Sequence, residues 1–278
     1  MREYRSLIVN ADDFGLNKEV NNGIIQAFKA GIVTSTSLLV NREGFEDSLA
    51  KIKENPGLDI GLHLNIFRGK PISELDYLVN KKGEFSGSSF KFFLKLKMNK
   101  ELAKKEILQE FEAQIKKAKE AGVKFSHLDT EKHLHVFPEI FEAVCQLAKK
   151  YKVPSVRFPF ETNSPEIKVK LSQSLKKAFS KRFFNKDYLI LDSSELLYPD
   201  YFYGISLSKN FSQENLGLFL KNLKPGVTEL SCHPGMNSKV DSYIDNFRKQ
   251  ELEVLTNPET RKIINNNKIK LITFKDVK

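Results

Sequence analysis

Short apolar runs that stop at polar clusters alternate along the chain with stretches in which apolar residues recur every three to four positions. Ser6 to Asn10 predicts a strand running into Ala11-Asp12-Asp13-Phe14-Gly15. Lys18 to Ala30 predicts a helix capped by Asn17, with Val20, Ile24, Ala27 and Phe28 on one face. Strands over Ser35 to Val40 and Leu58 to Leu64 flank a helix over Phe45 to Lys53, which gives βαβαβ, the pattern of a parallel sheet. Phe67 to Asn99 has scattered Gly, Pro and Ser and predicts a long loop over the site, such as a lid or substrate-binding insertion. A helix from about Lys100 to Ala121 follows, its buried face marked by Leu108, Phe111, Ile115 and Ala118.

The carboxyl half continues the alternation. Strands are predicted over Val123 to Asp129, Ser155 to Phe158, Val227 to Cys232 and Ile269 to Phe274. Helices follow Pro138, span Gln213 to Asn222 and Phe247 to Leu255, and follow Pro258. Asn185 to Ser208 is aromatic-rich and resists assignment. Glu166 to Phe184 predicts a basic amphipathic helix with Ile167, Leu171, Leu175, Ala178 and Phe179 at helical spacing. Such a helix lies on the outside of a barrel with its stripe on the core and its lysines in water, and the same pattern suits an anionic glycolipid surface. About seven strands with polar residues at their carboxyl ends predict a deformed (β/α) barrel as one domain over 1–278. An open doubly wound sheet is the alternative, but no Gly-x-Gly-x-x-Gly or Walker A loop is present.

Composition narrows the setting. The 278 residues suffice for a large core, and two cysteines cannot make a disulfide framework. The amino-terminal apolar run is too short for a signal peptide and no run approaches a membrane span, so we expect a cytoplasmic protein without a transmembrane segment. The net charge of +10 would suit an anionic partner. The lysines are spread over most predicted helices and no nucleic-acid-binding signature occurs, so no nucleic acid is expected. Peripheral membrane contact and a homodimer are both compatible with the sequence.

The chemistry gathers at strand ends. His127-Leu-Asp-Thr-Glu-Lys-His-Leu-His135 holds three of the five histidines, and His63 and His233 each follow an apolar run. Asp13, His63 and a group from the central segment would form a carboxylate and imidazole site suited to a divalent metal. Asp12 could then act as general base and His233 as general acid, with Arg157 holding Asp12 charged.

Asn10-Ala-Asp-Asp-Phe-Gly15, Gly31-Ile-Val-Thr-Ser-Thr-Ser37, Gly61-Leu-His-Leu-Asn65, the central segment and Glu229-Leu-Ser-Cys-His-Pro-Gly235 occur in one order along the chain. Together with Arg248 and Glu251-Leu252, this series resembles the YdjC-like carbohydrate deacetylases, relatives of the NodB-type polysaccharide deacetylases. The resemblance implies a deformed (β/α) barrel, one divalent ion (Mg, Zn or Mn) and removal of acetyl groups from an N-acetylated sugar, oligosaccharide or glycolipid. By position it implies Asp12 as base, His233 as acid, and Asp13 and His63 as metal ligands, with Phe14, Asn65 and His135 expected against substrate. Glu131 stands where the family usually has the third, histidine ligand. We expect Glu131 to bind the metal through its carboxylate, with His133 in reserve if the segment is extended. A sugar-binding pseudoenzyme with a weakened metal site and a metal phosphoesterase are the competing classes.

Overall fold

The computed structural model describes residues 4–161, 171–208, 210–236 and 242–278. Its strands are β1 (Arg5–Phe14), β2 (Ser35–Leu38), β3 (Asp59–Leu64), β4 (His127–Thr130), β5 (Ser155–Val156), β6 (Tyr201–Tyr203), β7 (Gly226–Cys232) and β8 (Ile269–Leu271). They form one sheet in the order β5-β4-β3-β2-β1-β7-β6, all pairs parallel. β8 pairs with Arg5 to Leu7 at the start of β1, whereas β2 pairs with its far end from Asn10 onward. Single bridges, Ser155 with Leu197 and Glu161 with Phe202, are what connect the β5 side to the β6 side. The sheet therefore curls into a deformed α/β barrel, as the strand and helix alternation predicts.

The helices are α1 (Lys18–Ala30), α2 (Phe45–Glu54), α3 (Ser89–Met98), α4 (Lys100–Glu120), α5 (Pro138–Tyr151), α6 (Leu171–Lys181), α7 (Phe184–Asp192), α8 (Gln213–Lys221), α9 (Ser242–Thr256) and α10 (Pro258–Asn266). Local signals place their starts. The Asn17 side chain accepts the Val20 N–H at 2.9 Å, and Pro138 opens α5. One apolar cluster runs from Leu7 and Val9 through Phe111 and Ile115 to Leu255. β1 sits at its centre because both faces of this strand are covered, so nine of its ten residues are buried.

Two expectations change. The stretch after Phe67 is less a free lid than a tethered insertion: it contains α3, and buried carboxylates of α4 hold the rest. Glu110 accepts the Ile72 N–H at 3.0 Å and the Ser73 N–H at 2.9 Å, and Glu106 accepts those of Tyr77 and Leu78, each at 2.8 Å. Such bonds satisfy backbone donors that a loop would otherwise leave to water. The basic helix is also turned the other way from the expectation of a stripe on the core. Lys177 is buried, with Nζ 3.0 Å from Glu161, while Leu171, Leu175 and Phe179 are exposed. A buried carboxylate needs a cation beside it, and Glu161 takes Lys177 as that partner. The start of that predicted helix, including Ile167, lies outside the described residues. Within the aromatic stretch, α7 and β6 supply the assignment that periodicity does not.

Candidate active site

Alternation along a strand would send Asp12 and Asp13 to opposite faces. The register prevents it: Ala11 pairs with Thr36 and Phe14 with Leu38, so β1 advances three residues against two on β2. This bulge, with Asp13 at φ 72°, brings both carboxylates to the same imidazole. Asp13 Oδ1 lies 3.7 Å from His63 Nε2, while Asp12, His63 and Asp129 offer ligand atoms all within 4.8 Å of one another. A left-handed Asp is a sparsely populated conformation, held here by the Leu16 N–H, which donates to the Asp13 carbonyl at 3.0 Å.

Beneath these groups lies a charge lattice centred on Arg157, whose side chain is fully buried. Its two terminal nitrogens donate to both oxygens of Asp12 at 2.9 and 2.7 Å. Nη1 also lies 2.6 Å from Asp129 Oδ2, and Nε donates to Glu229 Oε1 at 2.7 Å. Asn10 and Ser231 complete the donors to Asp12, at 2.8 and 2.9 Å. Burial alone would raise the Asp12 pKa, but Arg157, then His63 and His233, hold it well below the usual carboxylate range. Glu229 goes the other way, because burial outweighs its single contact with Arg157 and pushes it up to about 8.

His63 is fixed by Asp129, whose Oδ1 is 2.7 Å from Nδ1, which leaves Nε2 facing Asp13. Burial would lower the His63 pKa, yet Asp129, Asp12 and Asp13 raise it to about 9. The pocket thus calls for a positive charge at His63. His233 stands across from it, Nε2 3.9 Å from Asp12 Oδ2, with about a third of its side chain (32%) open to solvent. Its backbone N–H donates to Glu251 Oε2 at 2.5 Å, and burial, with Arg248 and Lys132, lowers the ring's pKa against the pull of Asp12 and Asp13.

Glu131 is buried with Oε1 accepting from Arg68 Nε at 2.5 Å, while Oε2 has no hydrogen-bond partner among the described residues. The segment beyond it is a 3-10 turn, Glu131–Val136, with Lys132 and His133 at φ 59° and 52°. It is not extended, so the condition under which His133 would share a side with Glu131 is unmet; the His133 ring instead meets Phe202 edge-on at 5.3 Å. His135 is buried, its backbone N–H donating to Thr130 Oγ1 at 3.0 Å, and its Nε2 has no partner among the described residues. Phe14 is wholly buried in the core, and Asn65 is buried with its side chain bonded to Asn41, Arg68 and Phe67. The structure therefore brings together Asp12, Asp13, His63, Arg157 and His233.

Sequence reasoning did not give site roles to Asp129, Glu229, Arg68 or Arg248, the last of which donates to Asp13 Oδ2. Asp129 could have been found from its place at the end of β4. Arg68 has no local signal. A metal fits the donor set of Asp12, His63 and Asp129, whose ligand atoms lie within 4.8 Å of one another, with the Asp13 carboxylate 3.7 Å from the same imidazole.

A sequence profile described as YdjC-like protein matches residues 6–266. A Clostridium beijerinckii protein named carbohydrate deacetylase is 35% identical over 275 residues, which cover 98% of this chain and 99% of that one. A Brevibacillus brevis protein of the same name is 32% identical over 275 residues, again covering 98% and 99%. A solved Enterococcus faecalis V583 protein, described as a candidate for cellobiose-phosphate cleavage, superposes with TM-score 0.77 at 27% identity over 98% of each chain.

Proposed function

The chain belongs to the YdjC-like family, and from that premise we propose that it is a metal-dependent hydrolase that removes the acetyl group from an N-acetylated sugar, oligosaccharide or glycolipid. The observation that carries the reading is Asp12, clamped by Arg157 and lying 3.9 Å from His233 on one side while it borders His63 on the other. A carboxylate given this many donors stays ionised and can take a proton from attacking water. His233, about a third open to solvent and 3.9 Å from Asp12, would receive that proton and deliver it to the departing amine; its lowered pKa makes the protonated ring a strong donor. Asp129 orients His63 by the hydrogen bond to Nδ1, an arrangement common to metal-bound imidazoles. Asp13 and His63 Nε2 would hold the ion, Mg, Zn or Mn, with Glu131 Oε2 as third donor. Asp129 is the less suitable ligand because Arg157 and Ser37 occupy its second oxygen. When bound, the ion would supply Lewis acidity toward the acetyl carbonyl and acidify water.

Acetate release from N-acetylglucosamine oligomers tests the assignment. Asp12→Asn and His233→Ala should each lower turnover by about 100-fold or more while metal content and fold persist. Near-wild-type turnover in either variant would remove its proton-transfer role. Metal bound without acetate release from any acetylated sugar would instead favour a sugar-binding protein.

A further inference from the structure

Two helices place apolar stripes in water. On α3, Phe92 and Leu96 face the core, yet Phe90, Leu94 and Met98, spaced four apart, are 74%, 47% and 72% exposed. On α6, Leu171, Leu175 and Phe179 repeat the spacing at 77%, 62% and 46%. The helices are neighbours: Phe137 lies 5.8 Å from Phe93 on one side and 5.9 Å from Phe179 on the other. Beside α3 is a groove of about 250 Å³ lined by Phe93, Phe137 and Phe183 and by Lys97, Lys100 and Lys186, with Glu139 as its one acidic lining residue. Neither helix contains an Asp or Glu; their charged residues are Lys91, Lys95 and Lys97 on α3 and Lys176, Lys177 and Lys181 on α6.

We propose that this face docks on an anionic phospholipid membrane. Exposed Phe, Leu and Met flanked by lysines is the composition of a segment that lies in the bilayer interface, with apolar side chains among acyl chains and ammonium groups at the phosphates. Charge selects this occupant over a second copy of the chain. A two-fold dimer through the face would set its lysines against the same lysines, and the carboxylate that lines the groove, Glu139, is already paired with Lys100 at 2.7 Å. The face also lies at the working end of the barrel. Phe137 follows the turn that carries Glu131 away from the end of β4, and Phe184, at the start of α7, packs against Phe158 and Phe160, just beyond Arg157. Docking would thus bring the site mouth toward the lipid headgroups, where a sugar borne on a lipid is presented. That last point rests on the deacetylase reading; the docking itself does not.

Flotation of the whole protein with vesicles tests it, using phosphatidylcholine alone and phosphatidylcholine mixed with phosphatidylglycerol, at low and high salt. The wild type should partition to the anionic vesicles at least ~10-fold more strongly, and salt should weaken this. Phe90→Ser with Leu94→Ser, and separately Leu171→Ser with Leu175→Ser, should each lose about 10-fold. Lys91→Glu with Lys176→Glu should lose about fivefold or more per lysine on anionic vesicles and little on neutral ones. All these positions are exposed, so circular dichroism and acetate release from soluble N-acetylglucosamine oligomers should not change. Equal partitioning of wild type and serine variants, or of wild type between the two vesicle types, overturns the proposal. So does light scattering that shows a dimer dissolved by the serine changes without vesicle binding. Vesicle binding without acetate release from any sugar leaves the docking intact and removes the deacetylase reading.

Discussion

Replacing Arg157 by Met would take the single guanidinium from three carboxylates at once. Four contacts of 2.6 to 2.9 Å disappear, two to Asp12 and one each to Asp129 and Glu229. Removing one partner of a buried ion pair typically costs about 3–5 kcal/mol, mostly through the charge left behind. Glu229 adds less of this, since burial pushes its pKa up to about 8. Asp12 and Asp129 hold the cost, because their carboxylates are ionised in the intact protein through Arg157 and His63. Without Arg157, burial is less opposed and their folded pKa values move up. The folded variant then binds protons that the unfolded chain has released, so its stability falls as pH rises above the unfolded carboxylate range. Urea unfolding should therefore show a destabilisation of about 3–5 kcal/mol at about pH 8 that shrinks toward about pH 5. Arg157→Lys, which keeps the charge but not the fork, should fall between. A loss below about 1 kcal/mol, or one equal at both pH values, would refute the account of Arg157 as the counter-charge.

Three further outcomes are expected. A Cβ on Gly23 would sit 2.4 Å from the Gly235 Cα, so Gly23→Ala should displace the turn that holds His233; a shift of about 1 Å should cut acetate release by roughly 100-fold in steady-state kinetics, with metal content unchanged. Burial, reinforced by Glu139, raises Asp187 to about 8, and neither of its oxygens finds a hydrogen bond among the described residues, so folding holds a proton there that the unfolded chain loses from about pH 4 upward. Stability should drop between those values, and Asp187→Asn should flatten the drop and gain about 1–2 kcal/mol at about pH 8 by urea denaturation. Glu131→His should retain metal and shift its preference toward zinc, and His133→Ala should change little, both read by elemental analysis and titration calorimetry; metal loss in His133→Ala with Glu131→Ala silent would overturn the ligand assignment.

What the sequence shows of this molecule is what short-range physics decides. The Asn17 cap, Pro138 at the start of α5 and the buried face of α4 follow from side chains acting within a turn or two. The carboxyl ends of β1, β3 and β7 could likewise be read, and with them the gathering of Asp12, Asp13, His63 and His233. Of the lattice below, only Arg157 beside Asp12 could be expected; the contacts of Arg157 with residues 129 and 229, and of Arg248 with residue 13, join positions far apart in the chain. The left-handed backbone at Lys132 and His133 is also silent in the sequence, since neither is a glycine. The α6 stripe was misdirected for a related reason. Periodicity shows that one face is apolar, but burying Lys177 against Glu161 decided which face turned inward.

Glu131 and Arg68 are best understood as one feature. A buried carboxylate in place of an imidazole brings a full negative charge into the site, and that charge needs a partner. Arg68, reaching from the insertion after β3, supplies it at 2.5 Å, and the Glu131 and Asp13 carboxylates together raise the Arg68 pKa against the effect of its burial. The Arg68 carbonyl in turn accepts from Asn65 at 2.9 Å, and the Asn65 backbone N–H donates to Gln114 of α4 at 2.9 Å. The charge at Glu131 is thereby tied to the anchoring of the insertion. A neutral histidine at residue 131 would remove the ion pair while leaving these neutral bonds in place, so Arg68 would lose its reason to lie over the site while the insertion kept its attachment to α4.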